Sequence, residues 1–431
     1  MFLIYIFTFC FVFFLINDYK KAVITLCVFA VSLMFVQSKI IANNSSFHFL
    51  GLVAILIGLY KYGFRRIFSN PLSWCLILPL LSQIVTMWIY GRFIPSYLIR
   101  TSVIYLIPVI LYLSLENKAD TKYYIKCVKW YLVIIVLYSF YEEIVQYNPV
   151  MQYCAQNPDL FGWTTSRIDG ESMNTMRFGM RRSQSLFGSE AAFAAVIIYY
   201  FFVIRKYQSD NNNLIERNVI LFLTISIPFC VLFTGTRSAM LAFVIACVGL
   251  LSLKRIRRNW YYYAIALVVA FFMSSYLGSV IDSIINSSNS EIGGSTEEMR
   301  EGQWEIALYY LAKNPICGNG VGFTASLIAE DEQGLFGAEG MWLTAMMDRG
   351  IVGVVSILFS YIIVIILLIK KKMYSAVWIL LSFLVFKTIT TVVGVSENYA
   401  ILVAVFYIRY KEILAKTQIR TSSTWRNKLF R

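Results

Sequence analysis

Long apolar stretches separated by short polar segments recur along the whole chain of 431 residues. A helix that crosses a bilayer needs about twenty predominantly apolar residues, and about thirteen stretches come near this length. They cover residues 1–17, 22–38, 47–62, 72–90, 94–114, 123–142, 186–204, 218–234, 237–253, 260–279, 343–369, 374–392 and 397–410. The pattern predicts an all-α polytopic membrane protein of about 12–13 transmembrane helices, with residues 1–431 forming a single transmembrane domain.

The composition agrees with a membrane protein, and the placement of the basic residues argues against nucleic-acid binding. The chain is 58% hydrophobic and 14% charged, whereas a soluble domain is about half apolar and a quarter charged. A net charge of +14 could indicate nucleic-acid binding, but most of the Lys and Arg residues lie in short clusters between apolar stretches or in the tail 411–431. Such clusters hold loops and tails in the cytoplasm and attract anionic lipids. Membrane lipids, and no nucleic acid, are therefore the predicted partners of this charge.

The alternation of basic and basic-poor segments predicts two long extracytoplasmic loops, residues 143–185 and 280–342. The first loop ends in Arg177, Arg181 and Arg182, and the second carries ten acidic residues against two basic ones. Arginines on the outer side oppose the usual charge trend, so they require a local reason. An odd number of helices places the N-terminus outside, and twelve helices with the N-terminus inside is the alternative.

A short helix is predicted inside the second loop. Ser295 and Glu298 have the spacing of a capping box, and Asn314-Pro315 ends the helix. Four apolar residues share one face, so the helix is expected to lie on the membrane surface or against the bundle. These residues are Trp304, Ala307, Leu308 and Leu311.

The cysteines and the single histidine restrict the chemistry. Eight cysteines are scattered without metal-ligand spacing. Cys154 and Cys317 fall in the predicted outer loops, so pairing in a disulfide and free thiols are both compatible with the sequence. His48 begins an apolar stretch and is the only histidine, which excludes a Ser-His-Asp triad and a site with several histidine ligands. No metal and no cofactor are predicted.

The turn Thr234-Gly-Thr-Arg-Ser238 joins two apolar stretches and places Arg237 at the outer interface. An ionisable residue at this depth is costly and indicates a functional site. A snorkelling anchor at the lipid headgroups is the alternative.

Residues 181–190 return the first loop to the membrane. Arg181 and Arg182 precede a helix and offer many donors for phosphate or diphosphate oxygens, and the helix N-terminus adds partial positive charge. Interfacial anchoring, or pairing with Glu190 and the acidic second loop, is the alternative.

Residues 300–322 combine Arg300 and Trp304 with Gly318, Gly320 and Gly322. The glycines permit close approach of the backbone to a ligand, with a flexible turn as the alternative. A dinucleotide site is excluded because no strand precedes the glycines.

Carboxylates and a lysine near the later stretches are further candidates. Glu339 precedes an apolar stretch, and a carboxylate at a dry interface can act as a general base. Asp348 and Arg349 are expected to pair with other groups of the protein in a structural role. Lys387 and Glu397 could extend a polar cavity or pair with each other.

In this order the motifs resemble the O-antigen polymerase and ligase superfamily. The resemblance rests on Arg182 with Phe187-Gly188 and on three further segments, 234–238, 300–323 and 339–353. It implies glycan transfer from undecaprenyl diphosphate to an acceptor hydroxyl at the outer face of the cytoplasmic membrane, without nucleotide sugar or metal. The implied partners are undecaprenyl-diphosphate-linked oligosaccharide and polysaccharide and a chain-length regulator protein.

The resemblance also implies roles for the candidate residues. Arg237 and Arg300 would hold the leaving diphosphate and stabilise its growing charge. Arg181 and Arg182 would help to bind the lipid-linked glycan, and Glu339 would accept the proton of the acceptor. The remaining substrate-binding candidates are Glu190, Trp304, Gly318, Gly320 and Gly322.

One difference from the ligases of this superfamily favours the polymerase branch. Ligases of the superfamily resemble one another in a histidine where this chain has Glu339. A ligase to a lipid or protein acceptor remains an alternative, as does a flippase or other transporter of lipid-linked oligosaccharide. Transporters usually contain paired repeats with broken helices, and no such pairing is visible in the sequence. A structural or sensor membrane protein is the remaining alternative.

Overall fold

The computed structural model describes residues 2–34, 36–38, 44–91, 93–157, 176–177, 180–210, 214–248, 297–329, 335, 340–390 and 399–429. Within these ranges nearly all residues are helical. Four helices are long and apolar enough to cross a membrane, and five shorter helices are also apolar. The predicted all-α polytopic membrane class is therefore confirmed.

The helices of the N-terminal half follow the predicted apolar stretches. They are α1 (Phe2–Asn17), α2 (Tyr19–Val28), α3 (Ala30–Met34), α4 (Ser46–Tyr62), α5 (Phe64–Phe68), α6 (Pro71–Ile89), α7 (Pro95–Ser114), α8 (Lys118–Val145) and α9 (Pro149–Gln156). Two pairs of two-residue antiparallel strands lie in the connections: β1 (Gln37–Ser38) with β2 (Asn44–Ser45), and β3 (Met176–Arg177) with β4 (Met180–Arg181).

The helices of the C-terminal half include the predicted helix of the second loop. They are α10 (Glu190–Asp210), α11 (Leu214–Phe233), α12 (Arg237–Val248), α13 (Glu297–Lys313), α14 (Phe323–Ala329), α15 (Met341–Lys370), α16 (Tyr374–Ile389) and α17 (Tyr399–Leu429). The predicted stretch 260–279 lies outside the described residues.

One end of the helix bundle, called the ion-pair end, is held together by charged residues. Glu116 Oε2 accepts a hydrogen bond from Lys20 Nζ at 2.5 Å. Glu412 Oε2 accepts one from Arg409 Nη1 at 3.0 Å, and Arg409 Nε donates to the carbonyl of Leu115 at 2.6 Å. These contacts bring together residues that precede α8, begin α2 and belong to α17. The basic residues of these described segments, which were predicted to share one side of the membrane, therefore meet at one end.

The opposite end, called the motif end, is where α8 and α11 finish and α10, α12 and α15 begin. α1 leads into Lys20 and therefore runs toward the ion-pair end. The helix count of 12 or 13 and the side of the membrane on which the N-terminus lies stay predictions.

Helix α10 lies at the centre of the bundle. Residues 191–204 are all buried, and none of them is charged. A helix that is apolar on every face is stable only when other helices or lipid surround it. Here α8, α11, α12 and α17 pack around it. Because α10 is fixed on all sides, the residues that lead into it at the motif end have a rigid support.

Helix α13 lies against the bundle, which is one of the two predicted positions; the other was the membrane surface. Ala307 is buried in a cluster with Leu343, Met346 and Met347 of α15. The structure narrows the predicted apolar face, because Trp304 and Leu308 are exposed while Gln303 and Ala307 point inward. The helix ends at Lys313, directly before Asn314-Pro315, as predicted.

Helix α15 is broken at Gly350, whose φ of 60° and ψ of −155° are not helical. The turn 315–320 fills the break. Ile351 N donates to the carbonyl of Pro315 at 2.9 Å, and Asn319 N donates to the carbonyl of Met347 at 2.8 Å. The turn thus supplies partners for the backbone groups that the break leaves outside the helical pattern, as a helix in lipid requires.

We expect Gly318→Ala to destabilise the protein by at least about 2 kcal/mol, because an alanine there is both strained and crowded. Gly318 has a φ of 68°, and a Cβ would lie 2.5 Å from the backbone N of Arg349. Thermal unfolding of the purified protein in detergent measures the loss. Gly302→Ala in α13 is the control, since a Cβ there meets nothing within 4 Å. The control should gain about 0.4–1 kcal/mol, and equal behaviour of the two variants would refute the packing of Gly318 against α15.

Candidate functional site

The residues after β4 are held by a buried carboxylate at the end of α8. Glu142 Oε2 accepts hydrogen bonds from Ser183 Oγ and from Ser185 N, both at 2.8 Å. Its other oxygen lies 3.8 Å from Arg181 Nη2, and both side chains are buried. Glu142 therefore fixes the predicted arginine segment from the side of α8.

Glu142 was not among the predicted site residues. The available signal was a carboxylate at the last position of the apolar stretch 123–142, because ionisable residues in such a stretch usually have a function or a specific partner. Its partners lie about forty residues further along the chain, so no local pattern relates them.

Arg182 joins two of the predicted motifs. Its Nε donates to the carbonyl of Thr234 at 3.1 Å, and Nη2 donates to Thr236 Oγ1 at 3.2 Å. Its Nη1 also lies 3.4 Å from Glu190 Oε1. In the sequence analysis, pairing with Glu190 was the alternative to phosphate binding. The structure contains this ion pair together with the hydrogen bonds to the turn. The segment before α10 and the turn between α11 and α12 therefore form one unit.

Replacement of Arg182 should reveal the strength of this connection. We expect Arg182→Ala to cost about 2–3 kcal/mol, since it removes two charge-assisted hydrogen bonds and an ion pair. Glu190→Gln removes the ion pair alone and should cost about 1 kcal/mol or less. Thermal unfolding in detergent compares the variants. Equal losses in the two variants would show that the bonds to Thr234 and Thr236 contribute little.

The turn 234–238 continues this unit toward α16. Gly235 has a φ of 59°, and Arg237 begins α12 with a half-buried side chain. The hydroxyl of Ser238 is hydrogen-bonded to the hydroxyl of Thr390, directly after α16. Arg237 thus lies between the segment held by Arg182 and the end of α16.

The same end of α16 also contacts the beginning of α15. Trp342 Nε1 donates to Thr388 Oγ1 at 2.8 Å. Gly340 has a φ of 112°, and a Cβ on it would lie 2.8 Å from the Thr388 carbonyl oxygen. Glu339 lies outside the described residues, but the residue that follows it is therefore near the end of α16. Lys387 is buried in the last turn of α16, and Glu397 lies outside the described residues.

Arg300 is half-buried on α13, about two turns before Ala307. Asn319 Nδ2 donates to the carbonyls of Tyr310 and Met347, which places these two residues side by side. Ala307 shares a buried cluster with Leu343, Met346 and Met347, so α13 packs along the first part of α15. The approach of Arg300 and Trp304 to the other arginine motifs stays a prediction.

The glycine-rich turn is closely bonded within the protein. Gly318 N donates to the carbonyl of Asn314 at 3.0 Å, Gly320 N to that of Asp348 at 3.1 Å, and Gly322 N to Asp348 Oδ2 at 3.1 Å. Asp348 also accepts from the backbone and hydroxyl of Thr324, the structural role that was expected of it. Substrate binding by these glycines stays a prediction.

Near the turn, Tyr90 donates from its hydroxyl to the carbonyl of Gly318. Cys317 and Cys154 are both free thiols, so no disulfide joins them. Burial raises the pKa of the Cys154 thiol to about 12, and this cysteine is therefore unreactive at neutral pH.

The part of the chain that the structure describes contains no group of three or more His, Cys, Asp and Glu residues able to hold a metal ion. His48 is buried at the start of α4, where its Nδ1 lies 2.7 Å from the hydroxyl of Ser45. Its position is that of a capping residue.

The fold and the site define a polytopic membrane protein with an arginine-rich polar site at one end of its bundle. Residues 219–358 match the model of the family described as O-antigen ligase, Wzy_C. The matched segment is about a third of the chain and contains the turn 234–238, α13, the glycine-rich turn and the broken part of α15. The match supports the resemblance to the O-antigen polymerase and ligase superfamily and does not separate its two branches. No curated protein matches the chain.

Proposed function

We propose that the protein is a polysaccharide polymerase of the cytoplasmic membrane. It transfers a growing glycan from undecaprenyl diphosphate to the non-reducing end of the next lipid-linked repeat unit. The observation that carries this proposal is the convergence of three motifs at the motif end. Arg182 is bonded to the turn that holds Arg237, and that turn meets α16 where Gly340 also packs.

The proposed reaction uses the residue types that these motifs supply. The acceptor hydroxyl oxygen attacks the anomeric carbon of the donor glycan, and the bond from that carbon to the diphosphate oxygen breaks. Arg237 and Arg300 stabilise the negative charge that develops on the departing diphosphate. Glu339 accepts the proton of the hydroxyl. Guanidinium groups suit this role because their planar donors match phosphate oxygens and stay charged at all relevant pH values.

The sidedness of the membrane supports the location of this site. Basic segments remain in the cytoplasm, and they gather at the ion-pair end. The motif end then faces outward, where lipid-linked repeat units are presented after translocation.

A ligase that transfers the glycan to a lipid or protein is the second candidate, because the matched family is described as O-antigen ligase. Two features favour the polymerase. Glu339 stands at the position where ligases of the superfamily have a histidine. The single histidine, His48, is buried and engaged with Ser45.

An assay with one substrate separates the candidates. Lipid-linked repeat units are extracted from cells that lack this gene and are supplied to the purified protein in liposomes. A polymerase produces a ladder of chains that remain on undecaprenyl diphosphate. A ligase leaves the units unchanged until a lipid or protein acceptor is added. Movement of the units across the bilayer without new glycosidic bonds would identify a flippase and overturn the proposal.

A further inference from the structure

The proposed polymerisation brings two lipid diphosphates to the outer face at the same time, and the following inference rests on that proposed function. The donor loses its diphosphate, whereas the acceptor keeps its own and is extended at the far end of its glycan. The arginines proposed to stabilise developing charge act on the departing diphosphate. Arg181 is paired with Glu142, and Arg182 with Glu190, so both are engaged by carboxylates of the protein. The acceptor diphosphate therefore requires a further cation near the outer leaflet.

Arg100 on α7 is a cation at this level of the membrane. It is the single charged residue of α7 and lies about 7–8 Å along the helix from its start at Pro95. α7 finishes at the ion-pair end, where the carbonyl of Leu115 accepts from Arg409, so Arg100 lies in the outer half of the bundle. Its side chain is exposed, and none of the residues that the structure describes forms a hydrogen bond or an ion pair with it. A charged residue at such a depth is costly and indicates a function.

An apolar crevice lies on the same face of α7, further into the membrane. Ile104, Ile107 and Pro108 follow Arg100 at spacings of one and two helical turns, so they share its face. They line the crevice together with residues of three other helices: Ala30 and Met34 of α3, Phe47 of α4, and Tyr399 and Leu402 of α17. A cation next to an apolar crevice matches a lipid that carries a phosphate on a hydrocarbon chain.

The helices around the crevice are held by direct contacts. Gly51 of α4 packs against Val103 of α7, since the absence of a side chain lets the two helices approach closely. On the side of α3, the hydroxyl of Tyr200 donates to the carbonyls of Cys27 and Val28 at 3.1 Å, directly before the break between α2 and α3. These contacts fix the positions of α3, α4 and α7 beside the crevice.

On the outer side of Arg100, α7 approaches the glycine-rich turn. Tyr97 is one turn before Arg100, and a Cβ on Gly322 would lie 3.0 Å from the Tyr97 hydroxyl. From the membrane interior outward, this face of α7 therefore presents apolar side chains, then a cation, and then a hydroxyl beside a glycine. A lipid-linked glycan has its parts in the same order, namely hydrocarbon chain, diphosphate and sugars. An ordinary phospholipid matches only the first two.

We propose that Arg100 binds the diphosphate of the acceptor lipid. Its guanidinium offers paired donors to phosphate oxygens, and a side chain of this length reaches from α7 to the level of the headgroups. The first isoprene units of the acceptor lie along the crevice, and its first sugar lies beside Tyr97 and Gly322. Arg100 holds the acceptor and takes no part in the making or breaking of bonds.

The test counts the undecaprenyl diphosphate molecules bound to the purified full chain, by native mass spectrometry from detergent. The unaltered protein should bind two molecules, one at the motif arginines and one at Arg100. Arg100→Gln should bind the second molecule at least about tenfold more weakly. Arg100→Lys keeps the charge and should restore much of this binding. Arg65→Gln changes an exposed arginine of α5 and should bind two molecules like the unaltered protein.

Two outcomes of the binding test would overturn the proposal. One is an Arg100→Gln variant that binds both molecules as the unaltered protein does. The other is displacement of the second molecule by an equal concentration of phosphatidylglycerol, which would show an ordinary phospholipid site. Phosphatidylglycerol is expected to leave two undecaprenyl diphosphates bound.

The liposome assay separates this inference from the proposed function. Arg100→Gln should require about tenfold more lipid-linked repeat unit for half-maximal polymerisation and should reach nearly the same maximal rate. An unchanged concentration dependence would contradict the role of Arg100 and leave the polymerase proposal intact. If the unaltered protein forms no polymer, the proposed function fails, and the count of bound undecaprenyl diphosphate then decides the Arg100 site by itself.

Discussion

Arg237→Ala and Arg300→Ala are each expected to reduce polymer formation by about 10²–10³-fold. Each arginine is proposed to stabilise negative charge that develops on the diphosphate only as the glycosidic bond breaks. Cells with either variant should carry single repeat units on the surface acceptor, whereas the unaltered protein gives long chains on a gel. Glu339→Ala should produce the same pattern through loss of the base.

Arg65→Ala is the matched control for the arginine variants. Arg65 is exposed on α5, in the basic segment before α6, and is not part of any predicted motif. This variant should leave long chains unchanged. Equal amounts of each protein in the membrane must be verified by immunoblot. Normal long chains in both Arg237→Ala and Arg300→Ala would contradict the site assignment, and complete absence of surface units would indicate failed translocation.

Glu142→Ala should be the most destabilising single substitution at the motif end, with an expected loss of about 3–5 kcal/mol. It removes the carboxylate that faces the buried Arg181 and that accepts from Ser183 and Ser185. Thermal unfolding in detergent gives the loss. Because Arg181 and Arg182 belong to the same segment, polymer formation should fall as well.

The neighbouring residue provides the control for this prediction. Glu143 is on the same helix turn, and its backbone carbonyl accepts a hydrogen bond from Gln146 Nε2 at 2.6 Å, which an alanine at this position retains. Glu143→Ala should change the stability by less than about 1 kcal/mol. A loss in Glu143→Ala as large as that in Glu142→Ala would show that the end of α8, and not the specific contacts of Glu142, is sensitive.

The helices could be predicted from the sequence because length and apolarity suffice in a membrane. The stretch 47–62 corresponds to α4 and the stretch 72–90 to α6. Breaks inside a stretch were not predicted. The stretch 22–38 is divided at Phe29 into α2 and α3, and the stretch 343–369 is broken at Gly350. Apolarity continues across both breaks, and the partners that stabilise the second one belong to a distant turn.

The candidate site could be predicted in part. The order of short motifs predicted Arg182 and Arg237 as site residues, and the structure shows how Arg182 reaches the turn before α12. Glu142 was missed because a single charged residue at the end of an apolar stretch resembles an ordinary helix end. The bonding of the glycine-rich turn to α15 was also missed. Both depend on contacts between segments far apart in the chain.

The break in α15 has a consequence for biosynthesis. The ribosome makes the chain from its N-terminus, so the turn 315–320 is complete before Gly350 is added. Until that turn docks, the backbone groups at the break have no hydrogen-bond partner, because lipid cannot supply one. The two parts of α15 therefore become stable in the bilayer only together with the second loop. Changes in this turn should first appear as degradation of newly made protein by membrane proteases, before any effect on catalysis.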